Sequence, residues 1–509
     1  MGITTFYFLC FFSAVFILYY IIPKRVQWQF LLLVSLIYFL SFGDARMLLY
    51  PLASIAAAYW GAKYIEKEKD PKRKKRGLLF ALSCNLGVLI VLKYLNLFVY
   101  TYNAIATRVQ ENAQILTLLR FLIPIGVSFY TLSVLSYIFD VYYGTLPAEK
   151  NFFKLLLFGI YFPLMISGPI VRYGEMKKSL FEKHSFNYEQ VTRGVQRILW
   201  GFFKVLVISE RMAVIADTVF RHYEQYPGIY IIVAAVCFSF QLYTNFSGSM
   251  DIVLGISQTF GIMLPENFKT PFFSKNIQEF WRRWHITLGA WLKDYLFYPL
   301  LRTEFFMNLP KKWKERIGKK PAKKITTFLA LFILWFCVGL WHGGAWKYIF
   351  GSGLLHWFYI VSGELLEPLF KRIRQTLHIT DETKWFSAFR MIRTFCLVTI
   401  GFLFFNADSL SAGFKMCGSV LTTWNPQILW DGSLLALGLD WVDWIIAILS
   451  LLLLWAASCL QQKKSVREWL AERNIAVRWL ILYALLFYVI LLGKYGPGYN
   501  AAEFIYQGF

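Results

Sequence analysis

The feature that most limits how this chain can fold is the recurrence of apolar runs long enough to cross a bilayer. Of its 509 residues, 57% are hydrophobic and 19% are aromatic, which exceeds the average for soluble domains. Because backbone in hydrocarbon must satisfy its own hydrogen bonds, such runs fold as helices. The sequence therefore predicts an all-α, polytopic integral membrane protein with about 11 to 13 helices that cross or enter the membrane. The predicted spans are 3–23, 27–43, 47–64, 78–101, 117–141, 152–172, 194–218, 228–246, 325–342, 345–362, 388–406, 433–458 and 477–494.

We expect a single membrane-embedded domain over residues 1–509. Its first run, Ile3–Ile22, lacks the basic start and small-residue cleavage site of a signal peptide, so a retained first helix is predicted. The C-terminal part is predicted to comprise helices within 388–494 and an aromatic tail, 495–509. This tail is interpreted either as an interfacial anchor or as a docking segment for a partner helix.

The net charge of +23 is concentrated in short basic stretches between apolar runs, at 63–76, 311–324 and, more weakly, 461–473. Such loops stay on the cytoplasmic side of a membrane. Counting spans outward from them places both termini on the extracytoplasmic side. This distribution argues against nucleic-acid binding, and it could attract an anionic cytoplasmic ligand such as a CoA phosphate or an acidic carrier protein.

Three segments differ from ordinary spans. The stretch 160–172 contains Pro163 and Pro169, which break a helix, and non-helical backbone at membrane depth must be buried in protein or line a cavity. The stretch Gln241–Asp251 is polar and contains glycine within an apolar region. In Gln278–Leu296 apolar residues recur at helical spacing, which predicts an amphipathic helix in or near the interface.

Two histidines stand where ionisable groups are costly. His342 ends a long apolar run and precedes Gly343, and His285 lies on the apolar face of the predicted amphipathic helix. A neutral imidazole can take a proton from a hydroxyl, and Gly343 leaves space for a substrate. Both histidines can equally be structural, as a hydrogen-bonded residue of a helix bundle and as an interfacial residue between aromatic anchors.

The other polar residues near predicted spans have two interpretations, structural charge pairing or lining of a polar tunnel. They include Asp251, Asn245, Asp294 and Arg282. For His356, one apolar segment after His342, a structural role is favoured. The chain lacks a Gly-x-Ser-x-Gly motif, a P-loop, a dinucleotide fingerprint and metal-ligand spacing, so neither a metal nor a permanently bound cofactor is expected.

Several segments together resemble the membrane-bound O-acyltransferase family, most closely its bacterial polysaccharide O-acetyltransferase branch. The most specific part is the core 241–356. The segments that carry the resemblance are 124–130, 168–170, 241–248, 251–252, 264–268, 271, 280–288, 291–296 and 339–343. Asn245, Lys293 and Asn406 depart from the residues common in the family, and they bear on the details of the substrate.

The resemblance implies a ring of helices around a tunnel, with His342 as the catalytic residue and His285 as the second family histidine. The implied lining of the tunnel is Trp281, Arg282, Trp284, Asn245, Asp251, Asp294, Trp341 and Gly343. It also implies a bacterial cytoplasmic membrane, a cytoplasmic acyl thioester as co-substrate (acetyl-CoA or a phosphopantetheine carrier protein), a hydroxyl of an extracytoplasmic cell-surface polysaccharide as acceptor, and an extracytoplasmic acyltransferase partner.

Two other functions stay open at this point. The first is D-alanyl transfer to teichoic acid from an acyl carrier protein, which would use the same two histidines. The second is a transporter or flippase with a proton-relay histidine pair. Such transporters commonly contain internal repeats, and the sequence shows none.

Overall fold

The computed structural model describes residues 2–110, 115–119, 124–381 and 383–495, and within these ranges the chain is helical, without a strand. The prediction of an all-α protein is confirmed. The first eight α-helices are Phe6–Ile21 (α1), Gln27–Leu40 (α2), Leu49–Lys67 (α3), Pro71–Val109 (α4), Val127–Tyr142 (α5), Phe152–Ile160 (α6), Tyr173–Phe181 (α7) and Tyr188–Phe202 (α8).

The remaining α-helices are less regular in length, and three π-helical segments interrupt them at 203–209, 293–297 and 349–354. These α-helices are Glu210–Arg221 (α9), Ile229–Thr259 (α10), Ile277–Arg283 (α11), Ile286–Leu292 (α12), Tyr298–Leu301 (α13), Glu304–Ile317 (α14), Lys319–His342 (α15), Trp346–Tyr348 (α16), Leu355–Thr376 (α17), Lys384–Asn406 (α18), Leu410–Thr422 (α19), Trp441–Gln461 (α20), Val466–Ala471 (α21) and Ile475–Leu492 (α22).

The length and composition of these helices identify a multi-pass membrane protein. Seven helical stretches among the described residues are long and apolar enough to cross a bilayer, and α1 and the 152–164 stretch are shorter apolar helices. The seven candidate spans are Pro71–Val109, Ile229–Thr259, Lys319–His342, Trp346–Thr376, Lys384–Asn406, Trp441–Gln461 and Ile475–Leu492.

The structure differs from the sequence-based expectation in several regions. Gln241–Asp251, which seemed unlike an ordinary span, is regular helix inside α10, because its polar side chains find partners within the protein. The basic stretches at 63–76 and 311–324 are largely helical and not open loops, the second interrupted only at Gly318 (φ +85°).

The break predicted in 160–172 is confirmed. Helix α6 ends at Ile160, and only the short 3₁₀ turn Phe162–Leu164 follows before α7. The predicted span 117–141 lies partly outside the described residues, as does the aromatic tail from residue 496 onward.

Two compact units can be distinguished. The first consists of the described residues within 1–206, 245–265 and 469–509. One closely packed part of it is the crossing of α8 with the second half of α10, where glycines meet backbone. A Cβ on Gly194 would lie 2.8 Å from the Gly255 carbonyl oxygen, and one on Gly201 would lie 2.6 Å from that of Gly248. The two helices therefore touch main chain to main chain, which only glycine permits.

The second unit consists of 207–244 and 266–468. Here α15 packs against the 349–354 segment through Gly339 and Gly353. A Cβ on Gly339 would lie 2.6 Å from the Ile349 Cα, and one on Gly353 would lie 2.5 Å from the Trp335 carbonyl oxygen. This close contact holds α15, the 349–354 segment and α17 as a tight hairpin with His342 near its turn.

Candidate active site

The helix is interrupted at His285, between α11 and α12. The prediction of one continuous helix over Gln278–Leu296 is therefore wrong at its centre. His285 adopts a left-handed backbone conformation (φ +47°), which is uncommon for a residue other than glycine and is found at functional sites. The surrounding contacts enforce it: the Lys269 amide donates to the Arg283 carbonyl (2.9 Å), and the Ile286 amide donates to the Asn267 carbonyl (3.0 Å).

The side chain of Asn267 determines which ring nitrogen of His285 carries the proton. Asn267 Oδ1 accepts hydrogen bonds from the Thr287 amide (3.1 Å) and from Thr287 Oγ1 (2.9 Å), and it lies 3.2 Å from His285 Nδ1. Because a backbone amide can only donate, the atom at this position is the amide oxygen. The proton of the neutral imidazole is then placed on Nδ1, and Nε2 carries the lone pair that can accept a proton.

His285 is 2% exposed. It lies outside the candidate membrane spans, and burial lowers its pKa to about 3 because desolvation disfavours the imidazolium. The residue is therefore neutral at physiological pH. Its ring lies against the indole of Trp341, with ring centroids 5.6 Å apart.

His342 is the last residue of α15 and is 4% exposed. Its ring packs against the Trp341 indole (centroids 5.1 Å apart) and edge-on against Phe405 (5.4 Å). The indole of Trp341 thus contacts both imidazoles. A positive charge at the C-terminal end of a helix is favourable, and His342 occupies that position in α15.

Gly343 is required by packing next to His342. A Cβ at this position would lie 2.6 Å from the ring of Tyr348. Tyr348 also contacts Phe405, with ring centroids 5.1 Å apart. The glycine therefore lets aromatic rings close around the end of α15.

The predicted residues on α11 and beyond have different surroundings. Trp284 is buried and packs on Phe280, Phe268 and Phe402, and Trp281 packs on Trp335. Arg282 is exposed. Arg283, next to Arg282 on α11, pairs with Glu279 at 2.7 Å. Asp294 itself lies in the 293–297 segment and is partly buried.

Asn245 and Asp251 belong to the other unit, on the second half of α10. Asp251 pairs with Arg197 (2.9 Å) and Lys204 (2.5 Å), and Lys204 also donates to Ser247 (2.9 Å). We call Arg197, Lys204 and Asp251 the charged triad. Its contacts support the interpretation of Asp251 as a structural partner.

Sequence reasoning did not assign a role to Asn267. The residue lies in one of the segments that carry the family resemblance, but periodicity gives no sign that it reaches His285, 18 positions later. The break at His285 brings the two together. A polar residue two positions after Pro265 was the one available signal.

The sequence matches known proteins over much of its length. A sequence model of the membrane-bound O-acyltransferase family matches residues 146–404. The probable alginate O-acetylase AlgI of Pseudomonas putida is 30% identical over 422 residues, covering 83% of this chain and 80% of that protein. The peptidoglycan O-acetyltransferase of Helicobacter pylori is 28% identical over 411 residues, covering 76% and 72%.

The name of a third relative specifies a different acyl group, D-alanyl. The teichoic acid D-alanyltransferase of Bacillus subtilis is 29% identical over 289 residues, which cover 55% of this chain and 68% of that protein. The family match spans half of the chain, and the Pseudomonas putida relative aligns with most of it. The chain therefore belongs to the membrane-bound O-acyltransferase family and is an O-acyltransferase.

Proposed function

We propose that this O-acyltransferase moves an acetyl group from a cytoplasmic thioester to a hydroxyl of an extracytoplasmic cell-surface polysaccharide, directly or through a partner protein. The observation that carries the proposal is the arrangement of His285 and His342 against the Trp341 indole, with the His285 tautomer set by Asn267. Imidazoles in an aromatic setting suit proton transfer from a hydroxyl.

In the proposed reaction His342 is the general base. The acceptor hydroxyl attacks the thioester carbonyl carbon while His342 takes its proton, which forms the new C–O bond and a tetrahedral oxyanion. Collapse of this intermediate breaks the C–S bond, and the imidazolium returns the proton to the leaving thiolate. The C-terminal carbonyls of α15 favour the transient imidazolium.

His285 is proposed to orient the acceptor. Its Nε2 holds a lone pair and so accepts a hydrogen bond from a neighbouring hydroxyl of the acceptor. The left-handed backbone at His285 and the three contacts of Asn267 Oδ1 hold the imidazole in place. The aromatic rings that surround the histidines exclude water, which would otherwise hydrolyse the thioester.

Membrane orientation supports the sides assigned to donor and acceptor. Helix α15 begins at the basic residues Lys319 and Lys320, which the positive-inside rule places in the cytoplasm, and it ends at His342. We propose a bacterial cytoplasmic membrane, with both termini extracytoplasmic. The donor is proposed to be acetyl-CoA or an acylated phosphopantetheine carrier protein, and the partner an extracytoplasmic acyltransferase.

The second candidate function is D-alanyl transfer to teichoic acid, which the Bacillus subtilis relative favours. The chemistry at the histidines would be the same, with a D-alanyl carrier protein as donor. The relatives named for O-acetylation align with a larger share of this chain, 83% and 76% against 55%. Acetyl transfer is therefore the preferred function.

The test uses native cells, which hold any partner. Cell-surface polymers are isolated from cells that carry wild-type protein or His342→Ala, and the esters released by mild alkali are identified. Loss of acetate in the variant supports the proposal. Loss of D-alanine with acetate unchanged supports the second candidate, and unchanged amounts of both contradict the two functions.

A further inference from the structure

A third histidine, His356 on α17, is fully buried in the second unit at 0% exposure. Neither of its ring nitrogens has a hydrogen-bond partner among the described residues, and the same holds for the indole nitrogen of Trp281. The two rings are in contact, with centroids 4.8 Å apart. Three buried polar atoms are therefore concentrated in one place.

Packing alone does not account for a histidine here. A buried polar atom that lacks a hydrogen bond costs about 1 to 3 kcal/mol, and an apolar ring of similar size would avoid this cost. The backbone also leaves room for this ring, since a Cβ on Gly401 would lie 2.6 Å from His356 Nε2. Buried polar groups of this kind call for a ligand or a function.

The pair lies beside the elements that carry the proposed active site. Trp281 lies on α11, four residues before His285, and His356 packs on Trp335 (centroids 5.8 Å apart). Trp335 precedes His342 on α15 by about 10 Å along the helix axis, toward its basic end. His356 is therefore displaced from His342 toward the side from which the thioester is proposed to arrive.

We propose that His356 and Trp281 bind an amide of the pantetheine arm of the acyl donor. Such an arm carries amide groups behind the thioester sulfur, so an amide is expected on the donor side of the reacting carbonyl. The indole N–H donates to the amide oxygen, and the lone pair of the neutral imidazole accepts from the amide N–H. His356 is thus a positioning residue for the donor, and this inference rests on the proposed function.

The test compares donor binding with thermal stability in purified protein in nanodiscs. We expect His356→Phe to raise the KM for acetyl-CoA about fivefold to tenfold with little change in kcat, because the lost contacts bind substrate and transition state equally. Its apparent Tm stays equal or rises. His356→Gln, which keeps a donor and an acceptor, restores part of the donor affinity, and Trp281→Phe raises KM in the same way.

Trp357→Phe is the matched control, since the Trp357 indole already donates to the Phe328 carbonyl (2.9 Å). It is expected to lower the apparent Tm and leave KM unchanged. An unchanged KM in His356→Phe overturns the inference, and so does a raised KM that comes with a lowered Tm. An acylated carrier protein, assayed in parallel, distinguishes the two sources of the arm. If wild-type protein uses neither thioester, the proposed function itself fails.

Discussion

The charged triad and the histidine site both bury ionisable side chains, but they hold them in opposite ways. In the triad, Asp251 lies between two cations at 2.9 and 2.5 Å, and the three side chains are 5 to 15% exposed. At the histidine site the imidazoles contact aromatic rings, and His285 makes its hydrogen bond through one defined nitrogen. The first group holds charges that are neutralised in place, and the second holds imidazoles packed among aromatic rings.

The difference separates a structural group from a chemical one. A buried ion pair must remain paired to be tolerated, so the triad has no freedom to change its protonation during a reaction. A buried neutral imidazole can gain and lose a proton within a catalytic cycle. Ionisable residues within a membrane protein are functional candidates by default. The groups that they contact distinguish the functional residues from the structural ones.

The largest effect is expected for His342→Ala. Loss of the general base should lower the rate of acyl transfer by a factor of about 10² to 10⁴, while the protein folds normally. Single-turnover transfer of labelled acyl groups and the size-exclusion profile measure the two properties. Transfer at the wild-type rate by the folded variant would remove His342 from the mechanism.

Asp251→Ala should act on stability instead. Its removal leaves the buried Lys204 and the partly buried Arg197 without their shared carboxylate, which is expected to destabilise the protein by about 3 to 5 kcal/mol. The apparent Tm in detergent reports this loss. Glu189→Ala is the matched control, because the Glu189–Arg193 pair is exposed and such pairs contribute little. Equal Tm values for both variants would show that the triad does not stabilise the fold.

Asn267 contacts both the imidazole of His285 and the backbone amide of Thr287. Asn267→Ala should slow transfer about tenfold, because the His285 tautomer is no longer fixed and the buried Thr287 amide loses its acceptor. The rate constant of transfer measures the effect. An unchanged rate would show that the tautomer of His285 is irrelevant.

Asn267→Asp should change the pH dependence of transfer. In the wild-type protein burial lowers the pKa of His285 to about 3, so the residue stays neutral between pH 5 and 8. A carboxylate at position 267 favours the imidazolium and raises that pKa. The variant should therefore lose activity as pH falls through the raised pKa, whereas the wild-type protein should show no loss from this group. Identical pH profiles would contradict the assignment.

The smallest effect concerns the helix crossing that supports the triad. In Gly255→Ala the new Cβ would lie 2.7 Å from the Gly194 carbonyl oxygen, so α8 and α10 must separate and the apparent Tm should fall. Gly363→Ala on α17 is the control, with nothing within 4 Å of its new Cβ. It should leave Tm equal or higher, since alanine favours helix by up to about 1 kcal/mol. A higher Tm for Gly255→Ala would contradict the close crossing.

Much of the fold could be predicted because membrane helices depend on local composition. The apolar runs indicated the spans around α15, α18, α20 and α22, and the prolines near 160–172 indicated the break after α6. The extent of α10 could not be predicted this way. Its polar residues look unfavourable in a span until their partners, such as Lys204 for Ser247, are known.

The site was predicted less completely than the fold. His285 and His342 stood out as costly groups in an apolar chain, but helical periodicity predicted an unbroken helix through His285. The break depends on contacts with 267–269 that are distant in sequence. For the same reason neither the role of Asn267 nor the unpaired polar atoms of His356 and Trp281 could be recognised from residue spacing.

The most direct test is a donor assay with purified protein in nanodiscs. Labelled acetyl-CoA and a labelled D-alanyl carrier protein are supplied separately to wild-type protein and to His342→Ala, and release or transfer of the label is followed. Wild-type protein is expected to use acetyl-CoA, and His342→Ala is expected not to use it. Use of acetyl-CoA at equal rates by both proteins would contradict this expectation.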